Sequence, residues 1–310
     1  MDRDLRALPD RTDDRPPKAG PDPFAAGRLR LRQPLMPLAR LVVLTFLVSR
    51  HPSVAELLEQ LPQEMVVGGR VYRAPAALLA PHLDLLAAAE AMRRGEPDDR
   101  LVVSEDLTPV KPLIAFMAGL TQGICSRELE TINSLLCDPC GCSVCCTGPR
   151  GEMHQLFFEI PLEAAEPQLF PVPVVDSPAS RSCTSSGEPP LLREGKPFYE
   201  TPTAVYRWQN GWSLILPRQA DCPHLAPDVS RCRIYVQRPQ VCRRPQLFPY
   251  ALERCPAGDR PEDGRVRQGF MARHKLLAVW DCPYVRQLVD EIADYAAASM
   301  LSLVLARNKA

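Results

Sequence analysis

No charge of either sign predominates in this sequence: 37 basic and 37 acidic side chains give a formal net charge of zero. A chain without a global field is not built for general attraction to nucleic acid or to an anionic membrane. It also has no glycine-rich nucleotide loop, no Ser/His/Asp set and no CxxxCxxC block of the radical S-adenosylmethionine type. The common sequence signatures of nucleotide-dependent, hydrolytic and radical chemistry are therefore missing. An export signal is missing too, because "MDRDLRALPDRTDDRPPKAGPDP" is charged and proline-rich from its second residue and has no apolar core. The most apolar early run, "LARLVVLTFLV", is interrupted by Arg40 and falls short of the roughly 20 residues of a membrane span. These absences predict a cytoplasmic protein, in a reducing compartment where permanent disulfides are rare.

Cysteine, by contrast, is plentiful: 12 in 310 residues. In "CDPCGCSVCCTGP", five of them (Cys137, Cys140, Cys142, Cys145 and Cys146) fall within ten positions. A second group follows in "CPHLAPDVSRCRIYVQRPQVCRR", where nine residues separate Cys222 from Cys232 and Cys232 from Cys242. A chain of this length can bury a real core, so the thiols are not needed as disulfide staples. Metal ligation is the remaining structural use. The Cys-x2-Cys steps from 137 to 140 and from 142 to 145 let one turn present two sulfurs to one metal, and similar runs hold iron–sulfur clusters. Spacing alone leaves zinc and iron both open. The adjacent pair Cys145 and Cys146 tilts the choice toward an iron–sulfur cluster, because neighbouring side chains are expected to diverge and so to suit a polynuclear centre, or one ligand beside one reactive thiol.

Five arginines, at 231, 233, 238, 243 and 244, crowd the second group. Little aromatic interleaving and no binding motif accompany them, which argues against nucleic acid. Four thiolates on Zn2+ or on a 4Fe–4S cluster leave about two negative charges, which guanidinium groups can offset.

The remaining segments predict an α+β chain. Residues 1–32 are expected to be a disordered tail and residues 33–136 a helical module. Within that module, helices are expected over "PLARLVVLTFLVSR", "SVAELLEQL" (capped by Ser53), "HLDLLAAAEAMRR", "PLIAFMAGL" and "SRELETINSLL". Gly68-Gly69 marks a small hairpin, and His51 and His82 are expected to be surface or capping residues. Residues 137–282 are expected to form the cysteine-cluster metal-binding domain. Seventeen of the 34 prolines lie between 161 and 261, so it should be loop-rich and stapled by metal. Its expected regular part is a small antiparallel sheet, with a hairpin at Asn210-Gly211 and a strand at "LFFEI". Cys183 lies in a long loop and Cys125 stands alone in its segment, and both are expected to be dispensable. Residues 283–310 are expected to form an amphipathic helix with Val285, Leu288, Val289, Ile292 and Ala296 on one stripe. Cys282 at its start fits either a thiolate favoured by the helix dipole or a plain N-terminal position.

The motifs of the second group carry a family resemblance. Cys222-Pro223-His224-Leu225, Cys232-Arg233-Ile234-Tyr235, Arg238-Pro239, Cys242-Arg243 and Phe248-Pro249 follow the first cysteine block. Together they resemble the YkgJ-type CxxCxxCC cysteine-cluster family of zinc- or iron-chelating domains. Two departures stand out: an irregular first block, and "CRRPQLFP" where the family has a tighter C-R-x-F-P. The resemblance implies metal binding through Cys137, Cys140, Cys142, Cys145, Cys146, Cys222, Cys232 and Cys242. Flagellin lysine N-methylases are similar to this family, which keeps a second expectation open: an iron–sulfur-dependent, methylase-like enzyme using S-adenosylmethionine. A protein partner for the helical module is the one partner class left, with neither nucleic acid nor membrane expected.

Overall fold

A computed structural model describes residues 22–96, 100–151, 153–226, 228, 231–255, 260–262 and 265–306. The helical part opens with α1 (Ala25–Arg32), α2 (Met36–Val48) and α3 (Val54–Glu59). The hydroxyl of Ser53 caps α3, accepting from the Glu56 amide at 3.2 Å. Strands β1 (Glu64–Val67) and β2 (Arg70–Arg73) form the hairpin turning on Gly68 and Gly69. Both glycines have positive φ, +56° and +74°, as a tight primed turn requires. Then come α4 (Pro75–Leu79), α5 (Leu83–Arg93), β3 (Arg100–Val103) and the long α6 (Pro112–Cys140).

The tail expected over 1–32 lies outside the described residues up to 21, but from Ala25 the chain is helical. Leu31 supplies the reason, because it is wholly buried, and Arg28 is paired with Asp22 and with Glu291 of the last long helix. Residues 25–48 together are long and apolar enough to cross a membrane. Helix α2 is only 13 residues long, however, and it buries Leu38, Ala39, Val42, Val43 and Phe46 in the core. The two helices expected over 112–136 are one helix of 29 residues. After its first residue no proline interrupts it before Pro139, the packed Gly119 and Gly123 are accommodated within it, and the boundary expected at 136/137 falls inside it. His82 is buried and its side chain caps nothing.

The second part holds β4 (Phe157–Leu162), β5 (Val174–Val175), the one-turn α7 (Pro178–Arg181), the short pair β6 (Leu192–Arg193) and β7 (Lys196–Pro197), β8 (Ala204–Trp208) and β9 (Gly211–Pro217). A four-stranded sheet in the order β4-β9-β8-β5 results, antiparallel except for β5 against β8. Alternate residues serve its two faces. Val205, Leu214 and Leu216 pack with Phe170 on one side, and Ala204, Tyr206, Trp208 and Ile215 pack with Phe198 on the other. Trp208 pairs with Gly211 across the hairpin, so the two turn residues are Gln209 and Asn210.

Beyond the small hairpin of β10 (Leu225–Ala226) and β11 (Arg231–Cys232) lies a second sheet, which the loop-rich expectation did not include. It is built on β14 (Arg265–Val279), paired with β12 (Leu247–Arg254) and β13 (Arg260–Glu262) antiparallel and with β3 and β15 (Ser302–Ala306) parallel. The expected single C-terminal helix is therefore corrected. It divides at Leu288 into α8 (Pro283–Gln287) and α9 (Val289–Ala298), and "SLVLA" is a strand. Met300 takes positive φ, 60°, and ends the helix there. Val285, Leu288, Ile292 and Ala296 are buried as the stripe requires. One continuous core joins α1, α2, α5, α6, β12, β14, α8 and α9.

Candidate metal centre

Helix α6 delivers the first cysteines. Cys137 and Cys140 stand one turn apart at its C-terminal end, and Gly141 then reverses the chain with φ +60°. Glycine takes that conformation at little cost. The turn sets Cys142 beside Cys140. A single 3-10 turn, residues 144–146, then presents Cys145 and Cys146 with their Sγ atoms 4.0 Å apart. The expected divergence of these neighbours does not occur, because the tight turn folds both sulfurs to one side. Their separation is close to the roughly 3.8 Å between sulfurs that tetrahedral Zn–S bonds of 2.3 Å imply. The adjacent pair therefore loses its force as an argument for iron over zinc.

Backbone bonds stitch the second group to the first. The Cys222 amide donates to the Cys146 carbonyl at 2.8 Å and the Gly148 amide to the Ala220 carbonyl at 2.7 Å, around a bridge between Thr147 and Asp221. Cys232 sits on β11 opposite Leu225, and Cys242 lies in the 3-10 turn Gln240–Arg243. Tyr235 and Arg238 anchor this segment to α6. The Tyr235 hydroxyl donates to the Ser134 carbonyl at 2.6 Å, and Arg238 Nη2 donates to Ser134 Oγ at 2.6 Å.

The result is one cavity of about 410 Å³ between the end of α6, strand β4 and the second cysteine group. Seven cysteines line it: 137, 142, 145, 146, 222, 232 and 242. Of the eight candidate ligands, only Cys140 is not on its wall. Cys140 instead joins Cys142 and Cys282, the three Sγ atoms all lying within 4.8 Å of one another. Cys125 is wholly buried elsewhere in the core, and Cys183 packs against the far face of the four-stranded sheet.

The electrostatics fit a thiolate centre. Burial pushes the Cys137 and Cys242 thiols up to about 12 and raises Cys222 and Cys232. So many thiols resist ionising together unless a cation compensates. The neighbouring Cys282 thiol holds Cys142 down, to about 6, and the neighbouring Cys146 thiol lowers Cys145. Cys282 and Cys146 move upward in turn. The Arg238 charge favours the thiolates of Cys137, Cys145, Cys232 and Cys242.

Arg238 is itself buried, stacks on the Tyr235 ring at 3.9 Å, and keeps its Nε without a partner. A buried guanidinium N–H lacking an acceptor, on the wall of a thiol-lined cavity, suits a net-negative metal–thiolate centre. Of the other arginines, Arg231 and Arg244 also border the cavity, while Arg243 and Arg244 approach Glu130 at 3.9 and 3.8 Å. His224 lines it too, but its Nε2 is held by the Leu169 carbonyl at 2.7 Å.

Cys282, which neither cysteine group includes, is the site residue that sequence reasoning did not place. A signal existed: Asp-Cys-Pro occurs at 221–223 and again at 281–283. No protein-family model, no curated protein and no solved structure matches this chain.

Proposed function

We propose that this protein carries metal through its clustered thiolates, and that the cavity cysteines hold a polynuclear iron–sulfur cluster. The observation behind this reading is the gathering of seven cysteines on one cavity wall. A mononuclear tetrahedral ion uses four thiolates, so seven exceed its needs. Cys137, Cys145, Cys146, Cys222, Cys232 and Cys242 are the residues that would hold the cluster. When bound, such a cluster supplies electron transfer or a Lewis-acidic iron. The protein's own part is to supply the sulfurs, neutralise them with Arg238 and screen them from water. The resemblance to the YkgJ-type family supports the same reading, and a reducing cytoplasm would keep the thiols available.

Zinc is the second reading, favoured by the 4.0 Å separation of Cys145 and Cys146. Anaerobic purification with metal analysis and a visible spectrum separates the two. Brown protein with broad absorption near about 400 nm indicates iron–sulfur. Colourless protein with stoichiometric zinc indicates the alternative, and folded protein that takes up no metal would sink both. The methylase-like reading makes a separate demand: calorimetry should detect S-adenosylmethionine binding that disappears together with the metal in Cys232→Ser.

A further inference from the structure

The cavity includes Cys142 but not the two sulfurs behind it. Cys140 and Cys282 are absent from its lining, yet with Cys142 they form a group whose Sγ atoms all lie within 4.8 Å of one another. Tetrahedral thiolates bound to Zn2+ at 2.3 Å stand about 3.8 Å apart, so closing the group on one ion needs movements of no more than about 1 Å. Three separate pieces of backbone produce this convergence: the last residue of α6, the turn at Gly141, and the residue before Pro283 that opens α8. Helices α6 and α8 touch, and Cys282 is wholly buried, so the arrangement rests on the core.

Packing alone does not account for it. A thiol is a weak hydrogen-bond donor and acceptor, and a core position that needs only volume is filled as well by alanine or valine. A disulfide would use two of the three and leave one over, and all three are free. Three sulfurs facing a common centre is the arrangement a thiophilic cation needs.

We propose that Cys140, Cys142 and Cys282 form a metal site of their own, distinct from the cavity centre, that takes one thiophilic divalent ion such as Zn2+. Binding displaces the remaining thiol protons to solvent. Three thiolates leave a tetrahedral ion one further position, and Cys142 is the member of the triad that borders the cavity, so the fourth ligand enters from that side. The proposal goes beyond the cavity reading, and neither depends on the other.

The test is a metal count on the full chain, stripped under anaerobic conditions and titrated with Co2+ and then Zn2+. Cys282→Ser and Cys140→Ser should each lose one equivalent, together with its thiolate–cobalt absorption, while the other equivalents stay. Cys242→Ser should keep the Cys282-dependent equivalent. Because Cys282 is buried, circular dichroism accompanies each titration, and if Cys282→Ser unfolds, the half-buried Cys140→Ser decides. The proposal is overturned if folded variants at 140 and 282 keep the wild-type stoichiometry, or if either strips all metal at once, as one shared centre would. Metal that responds to Cys282→Ser but not to Cys242→Ser would sink the cavity reading and uphold this one. Metal that responds only to Cys242→Ser would do the reverse.

Discussion

The two cysteine groups are far apart in sequence, and Gly148 is where the structure lets them meet. Its amide donates to Ala220, and the adjoining Cys222 amide donates to Cys146. A Cβ at 148 would overlap the Pro217 carbonyl oxygen and lie 3.0 Å from the Leu216 carbonyl oxygen. Both obstacles are backbone of the central strand β9, which cannot swing away as a side chain could. Gly148→Ala must therefore push the two segments apart. Overpacking costs about 1–3 kcal/mol, and weakening the two seam hydrogen bonds adds about 1 kcal/mol, giving a destabilisation of roughly 2–4 kcal/mol. To the extent that metal binding needs the seam closed, the same energy appears in affinity, at about 1.4 kcal/mol per tenfold. The upper bound is then a weakening of several hundredfold. Urea unfolding with and without metal, and a chelator competition, measure the two effects. Gly151→Ala is the control: that residue has positive φ, 55°, but open space around it, so it carries only the backbone strain of about 1 kcal/mol and should leave metal affinity alone. Gly148→Ala with wild-type stability and metal content would refute the claim that this seam builds the site.

Three further outcomes follow from the same structure. Arg238→Met should weaken metal binding by about tenfold, the worth of one charge-assisted contact of ~1.5 kcal/mol, and shift uptake to higher pH because the thiolates lose their cation; Arg238→Lys should recover part of it in the same titration. Cys125→Ala and Cys183→Ala should keep the full metal content while Cys232→Ala does not, as elemental analysis of the three purified variants would reveal. Burial pushes the Glu128 carboxyl up to about 8, against the opposing Leu35 amide, Tyr295 hydroxyl and Arg30 charge. A carboxyl raised this way stabilises the fold fully below about 4.5, and the contribution is lost as pH rises through about 8. Glu128→Gln should therefore flatten the fall in stability between pH 5 and 8, which we put at roughly 2 kcal/mol because the residue retains some solvent contact. Parallel slopes for the two proteins in urea melts across that range would contradict it.

How much of this was legible in the sequence depended on the range of the interaction involved. Local rules found what local chemistry decides: the Ser53 cap, the Gly68-Gly69 hairpin, the β8–β9 hairpin and the helix α5. They misjudged elements whose state is set by distant partners. "SLVLA" is a strand because β14 offers it an edge, and Ala25–Arg32 is a helix because α6 and α9 cover it. Neither partner is visible in the segment itself. The strand β14, with 15 residues carrying four different neighbours, escaped notice because it is rich in arginine and lysine and shows no clean apolar alternation.

The site followed the same division. Clustering along the chain was enough to collect eight cysteines, and the structure brings all of them to one region. Proximity in sequence could not sort them, because the sorting is done by the Gly141 turn, which points Cys140 toward α8 and leaves Cys142 on the border. Nor could it supply Cys282, 40 residues beyond Cys242 and alone in its segment. A solitary cysteine is ordinarily a packing residue, and Cys125 shows that this chain has one of those as well. What separates the two is the neighbourhood: Cys125 is buried near a carboxylate and a tyrosine hydroxyl, whereas Cys282 meets two other sulfurs. A thiol surrounded by oxygen ligands has no shared metal to bind at thiolate distances; a thiol meeting two more has three-quarters of a tetrahedral site. The repeated Asp-Cys-Pro at 221 and 281 acquires its meaning here, since in each case proline directly after the cysteine starts a new turn and leaves the sulfur at the end of the preceding segment, Cys222 on the cavity wall and Cys282 beside Cys140 and Cys142.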